Sequence, residues 1–288
     1  MSMQGTVYAV LALVVLATAL SGCTGVPGLE ETEQFDRTVA VEPGSGIVVT
    51  NRNGNVAVNV REGNDVGITA VKRSVYGRSE LDKVRIEVTE GDPLRVETVH
   101  TGFNPRVSVD YTISLPPTVV LQRIESSNGG IELAGVRVTE TELLTSNGRV
   151  IVHDAPGGDL AATSSNGRIE LSGVEGYVTA TTSNAGITVE DCGGVAGLST
   201  SNGAISAKIP AVRGDVTISS SNAGITLRFA GDLDARLAAT TSNGRIAVHD
   251  LLLQLEESTG TSVSGTLGNG GPTVTVTTSN AGIDLFGP

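Results

Sequence analysis

The chain has 288 residues with 31 acidic and 19 basic side chains, a net charge of −12, and only 3% aromatic residues, none of them Trp. That length suffices for one or two domains with a real core, which must be aliphatic because there are only four Tyr and four Phe. An acidic chain without a basic cluster excludes nucleic acid, whose phosphates are neutralised by Lys and Arg, and the scarcity of rings weakens recognition by stacking on bases or sugars.

Residues 1–22 carry no charged side chain, and Thr6 to Leu20 form an apolar run that suits a signal-peptide core and falls short of the ~20 residues of a spanning helix. Leu20-Ser21-Gly22-Cys23 follows directly. It resembles the lipobox of lipoproteins, in which the Cys becomes the lipidated first residue, although the leading MSMQGTVYA lacks the usual Lys or Arg. Cys23 is therefore the expected lipidation site, and the expected membrane contact is a lipid anchor that holds the chain extracytoplasmically. Cys192 then has no partner for a disulfide and reads as a small, partly buried, unreactive residue. Residues 23–36 read as the lipidated Cys and a polar tether.

Residues 37–125 alternate apolar and polar side chains in strand fashion, as in AVEPGSGIVVTNRNGNVAVNV and VSVDYTISLPPTVVL, without a strict repeat. They are expected to be degenerate β coils closing one end, with a short helical turn near Ser79–Lys83. Asn53-Gly54 echoes the turns that follow.

From residue 126 to residue 288 the chain repeats. A Ser-Asn pair followed by Gly one or two places later occurs at Asn128, Asn147, Asn166, Asn184, Asn202, Asn222, Asn243 and Asn280, at intervals of 19, 19, 18, 18, 20, 21 and 37. The residue four before each Asn is apolar, and the residue three after is Ile or, once, Val150. Spacing of two on either side of the Asn predicts strand, turn, strand. A unit of this size cannot bury its apolar face alone, so units must stack. The fold class is all-β: a parallel β-solenoid, right-handed by the default for parallel crossovers, with a less regular N-terminal β region. The Asn side chains are expected to form a ladder of amides and to ease a left-handed corner, with Asn128 starting the ladder. Residues 251–272 read as an irregular coil that doubles the last interval.

No catalytic, metal or cofactor site is expected. His153-Asp154 and His249-Asp250 end two copies of one repeat, at a position where other copies have Ala134, Ser172, Glu190, Lys208, Arg228 and Phe286. Five repeats at ~4.8 Å separate them, too far to share a metal. Glu132 and Glu170 occupy one position two coils apart with Ile151 between them, about 10 Å, at the outer limit for an acid–base pair on a polysaccharide-cleaving β-helix. Calcium binding would need a recurrent Asp in each turn, which these turns lack.

NRNGNVAVNV, VDYTISLPP, the TSNGxIxV run and SGTLGNGGPTVTVTTSNAGIDL together resemble the "putative adhesin" β-repeat family of bacterial and archaeal envelope proteins, over residues 37–288. The resemblance implies a parallel β-solenoid outside the membrane and carries over no catalytic residue. The expected function is a non-catalytic, adhesin-like binding or structural module whose partner is a surface protein or glycan, with an envelope sensor or scaffold as the alternative.

Overall fold

A computed structural model of the chain describes residues 30–288; the signal segment 1–22 and Cys23 lie outside the described residues. Two sheets face each other, sheet A with 12 strands and sheet B with 13. Each coil runs along one strand of sheet B, turns through the Ser-Asn-Gly corner, and returns along one strand of sheet A. The solenoid therefore has two faces, and neighbouring coils pair in parallel from Val120 to Phe229.

The apolar position three after each Asn forms one column in register: Ile131, Val150, Ile169, Ile187, Ile205 and Ile225 are each at most 1% exposed. Opposite it, Ile124, Leu143, Ala162, Ala180, Leu198 and Ile218 point in from sheet B, also at most 1% exposed. Burying such a side chain is worth about 1.5–3 kcal/mol for the larger ones. The sheet A column is β-branched throughout, whereas the sheet B column narrows to Ala162 and Ala180 in two successive coils.

Stacking order departs from chain order at both ends. The coil of residues 46–60 sits between coils 94–115 and 120–134. The last coil, 273–286, inserts between coils 216–229 and 235–249. Each inserted coil is paired on both sides, so neither can fray as an outermost layer would.

The ends also depart from a purely parallel solenoid. Strand Glu31–Ala40 pairs antiparallel with Asp65–Ser74, which pairs antiparallel with Ser108–Leu115, while Val84–Thr89 pairs antiparallel with Leu94–His100. The tether expected over 23–36 is thus corrected from Glu31 onward. Glu33 accepts from Lys72 Nζ at 2.8 Å and Asp36 accepts from the Thr69 hydroxyl at 2.8 Å, so a polar segment is held by cross-strand pairs. Arg78–Leu81 forms the short helix. Residues 251–272 are an antiparallel hairpin, Leu253–Ser258 with Ser262–Leu267, added to the end of sheet B.

Candidate functional site

The Ser-Asn-Gly corner is built from two columns of hydrogen bonds. Inside, the hydroxyl two before each Asn is buried and donates to a carbonyl of the preceding coil: Thr145 to Gly129 O at 2.9 Å, Ser164 to Gly148 O at 3.0 Å, Thr200 to Ala185 O at 3.0 Å. The same oxygen accepts from its own turn, as Gly148 N–H does to Thr145 at 3.1 Å. Outside, each Asn Nδ2 donates to the Oδ1 of the coil before it: Asn147 to Asn128 and Asn166 to Asn147 at 2.6 Å, Asn184 to Asn166 at 2.7 Å, Asn202 to Asn184 and Asn222 to Asn202 at 2.8 Å. Asn280 then donates to Asn222 at 2.8 Å, and Asn243 to Asn280 at 2.9 Å, so the inserted coil keeps the ladder unbroken. Asn128 does not start it, because its amide donates to Asn53 at 2.6 Å.

No ladder Asn has a positive φ, so the corner does not use the left-handed region. That conformation falls at the opposite corner, seven after the Asn, at Gly135, Asp154, Gly173, Asp191 and Asp250. The Asp of each His-Asp pair is explained by this backbone demand, which Gly, Asn and Asp meet most easily. Gly at the Ser-Asn-Gly corner serves close approach instead: a Cβ on Gly148 would lie 1.8 Å from Gly129 O.

The His residues do not form a site. His153 Nδ1 is 2.8 Å from the Ser172 hydroxyl, whereas His249 stacks on Phe286 at 4.5 Å with Asp284, not Asp250, as its nearest carboxylate at 3.5 Å. Insertion of coil 273–286 separates the two by six coil steps, about 29 Å, one more than the sequence interval implies. Glu132 and Glu170 flank Ile151 on adjacent strands, and Arg168 pairs with Glu170 at 3.2 Å. Among the described residues no group of three or more His, Cys, Asp or Glu is placed to hold a metal. Cys192 is buried and burial pushes its thiol above the usual range, away from the reactive thiolate.

The feature of the surface that stands out is the outer face of sheet B. Three residues before the Asn in six of the eight copies, strand after strand in register, stand Thr163, Thr181, Ser199, Ser219, Thr277 and Thr240, continued by Ser262 of the hairpin, whereas the first two copies have Glu125 and Leu144 there. A second row holds, two residues earlier, Ala161, Thr179, Gly197, Thr217, Thr275 and Ala238, and on the antiparallel hairpin strand, two residues later, Ser264. Neither row carries a charge across seven strands, in a chain of net charge −12. Thr is favoured on exposed strands in any case, but so long an uncharged run is not. Ser199 and Ser219 share a hydrogen bond at 3.1 Å, while the hydroxyls of Thr163, Thr181, Thr240 and Thr277 make none within the described residues. Charges border the face: Arg123 pairs with Glu125 and Glu142 on one side, and Arg213 pairs with Asp159 at 2.5 Å while lying 4.6 Å over the Tyr177 ring. A depression of about 230 Å³ lined by Glu142, Asp159, Tyr177, Thr179 and Arg213 opens at that border. The signal for this face lay in the repeat alignment, one column from the buried hydroxyls.

Comparison with curated proteins returns no match. Solved structures that resemble the chain include a "putative adhesin" from Bacteroides fragilis, 9% identical with a TM-score of 0.49, covering 92% of this chain and 100% of its own. A "putative lipid binding protein" from Parabacteroides distasonis is 13% identical with a TM-score of 0.39 over 90% of this chain and 97% of its own. A "putative adhesin" from Parabacteroides merdae is 12% identical with a TM-score of 0.30 over 88% and 95%. The family model described as Toastrack DUF4097 matches residues 45–285, from the inserted first coil to the inserted last one, and the chain belongs to that family.

Proposed function

We propose that this protein is a non-catalytic binding module of the cell surface that presents the uncharged hydroxyl face of sheet B to a surface glycan or protein. The observation that carries the reading is the in-register row from Thr163 to Ser262, carried by a solenoid whose coils are fixed at the corner by two hydrogen-bond columns. A rigid face loses little conformational entropy on binding, and a repeat of ~4.8 Å across strands suits a partner with its own regular array of hydroxyl or amide groups. Catalysis has no comparable support, since Glu132 and Glu170 are separated by Ile151 and one of them is ion-paired.

The anchor is the second part of the proposal: Cys23 carries lipid and holds the fold outside a membrane. Its support is the apolar run followed by Leu-Ser-Gly-Cys. Cys23→Ser is expected to move the protein from the membrane fraction to the soluble fraction, and an unchanged distribution would show that the apolar segment itself is the anchor. The binding reading is tested by capturing partners from native envelope with the purified protein, followed by a glycan array. A glycan or envelope protein retained by the wild type supports it; turnover of a polysaccharide would replace it with the enzyme reading.

A further inference from the structure

The chain enters the described fold at one end of the stack. Glu31 opens the outermost strand of sheet A and registers with Ser74, and Arg73 registers with Ser108. At that end two loops cross between the sheets, residues 75–83 from Ser74 to Val84 and residues 101–107 from His100 to Ser108. They hold each other. The Ser74 hydroxyl donates to Arg106 O at 2.9 Å, Arg106 N–H donates to Glu80 Oε2 at 3.0 Å, and Thr101 N–H donates to Lys83 O at 2.8 Å. The Arg106 guanidinium lies 4.5 Å over the Tyr76 ring.

On these loops Val75 is 55% exposed, Tyr76 59% and Phe103 96%. A phenyl ring so far out adds nothing to the core, and exposed apolar side chains gathered in one place mark contact with a protein or a membrane. The charge around them is the reverse of the chain's net charge of −12: Arg78, Lys83 and Arg106 stand against Glu80 and Asp82. Glu80 is turned inward, 15% exposed and paired with Lys83. Arg78 and Arg106 are exposed and take part in no ion pair among the described residues.

We propose that these two loops dock on the bilayer that anchors the chain, with Phe103 and Tyr76 in the headgroup layer and Arg78 and Arg106 against anionic lipid phosphates. The proposal rests on the anchor at Cys23. From Cys23 to Glu30 the chain reaches at most about 25 Å, and Glu31 is registered with the residue that precedes Val75 and Tyr76. So short a link gives an effective concentration on the order of mM, so a patch too small to hold a membrane alone suffices once the chain is tethered. Tyr suits the site, because its ring is apolar and its hydroxyl stays wet. In this pose the opposite end of sheet B, strand Leu253–Ser258, stands off the bilayer, about 50 Å across the stack.

The chain has no Trp, so Phe103→Trp places a single fluorescent reporter at the loop tip. Leu252→Trp, at an 88% exposed position beside the far strand, is the control. Each full-length protein is returned from detergent to vesicles of phosphatidylcholine and phosphatidylglycerol, with and without brominated acyl chains. Flotation reads the anchor and quenching reads the docking, so the two fail separately. The expected result is emission at 103 that shifts to the blue and is quenched, with neither change at 252. Added salt and Arg78→Glu should each weaken the quenching at unchanged circular dichroism. Protein that floats with the reporter at 103 unquenched would overturn the docking and leave the anchor, and protein that does not float would remove both. Equal quenching at 103 and 252 would also overturn the proposal. So would a blue shift at 103 that needs no vesicles and grows with protein concentration, the sign of a second copy on the patch.

Discussion

Replacing Asn202 by Val removes one rung from the middle of the ladder. Asn202 donates to Asn184 Oδ1 at 2.8 Å and accepts from Asn222 Nδ2 at 2.8 Å, with a weaker contact to Ser183 O at 3.3 Å. Each lost bond is worth about 0.5–1.5 kcal/mol net. The φ at Asn202 is not positive, so Val adds no left-handed strain. The rung is exposed, and the orphaned groups of Asn184 and Asn222 can turn to water, so the sum is about 1–3 kcal/mol with the lower half favoured. Asn128→Val should cost as much, because Asn128 also has two partners, Asn53 and Asn147, whereas Asn243→Val, whose one ladder bond is the one it donates to Asn280, should cost about half. Denaturant unfolding gives the totals, and hydrogen exchange should show the loosening concentrated in the coils beside each site. Equal, negligible effects at all three positions would refute the ladder as a source of stability. A cost at Asn128 no greater than that at Asn243 would refute its continuation to Asn53.

The close approach at the corner predicts that Gly148→Ala destabilises by about 1–3 kcal/mol or more, since its Cβ would meet a backbone oxygen. Adding Arg149→Gly, which converts the turn to the Asn-Ala-Gly form found at Asn184, Asn222 and Asn280, should recover most of the loss in a thermal melt. His153→Ser with His249→Ser should change unfolding free energy by no more than about 0.5 kcal/mol per exposed site; a large loss of stability or binding would restore the His residues as functional. The insertion of the last coil predicts that Thr226→Cys with Asp284→Cys forms a disulfide, because these residues are opposite each other. Thr226→Cys with Ala247→Cys should not, being about 10 Å apart across the inserted strand. The reverse result, read on a non-reducing gel, would return the coils to chain order.

Much of this fold is written in the repeat. An Asn at the same place in units of 18–21 residues, with Ile three residues on, leaves stacked coils as the way to bury one side of each strand. The order of stacking was not legible, because the turns are interchangeable: Asn243 and Asn280 satisfy the same ladder position, and the interval of 37 between them was the one trace of the hairpin that lets the chain pass beyond and return. The N-terminal strands were legible as strands but not in direction, since alternation names a face and not a partner. At the corners the sequence predicts two roles for Asn, an amide ladder and relief of a left-handed backbone; the ladder is present, and the left-handed conformation belongs to Asp154, Asp191 and Asp250 across the coil. The role of Asn itself is side-chain bonding. The hydroxyl row on sheet B is not legible as a repeat feature because the first two copies carry Glu125 and Leu144 at its position, and its extent appears only when seven strands place Ser and Thr side by side.

Three Lys substitutions on the outer face of sheet B, Thr181→Lys, Ser219→Lys and Thr277→Lys, test the central claim most directly. They add charge to the middle of the row without touching the core or the ladder. Retention of an envelope partner is compared with the wild type and with a control of equal charge on sheet A, Thr188→Lys, Ser206→Lys and Thr226→Lys. The account predicts that the sheet B variant loses retention at least tenfold while melting like the wild type, and that the sheet A control retains its partner. Equal retention by both variants, or loss confined to the sheet A control, would contradict it.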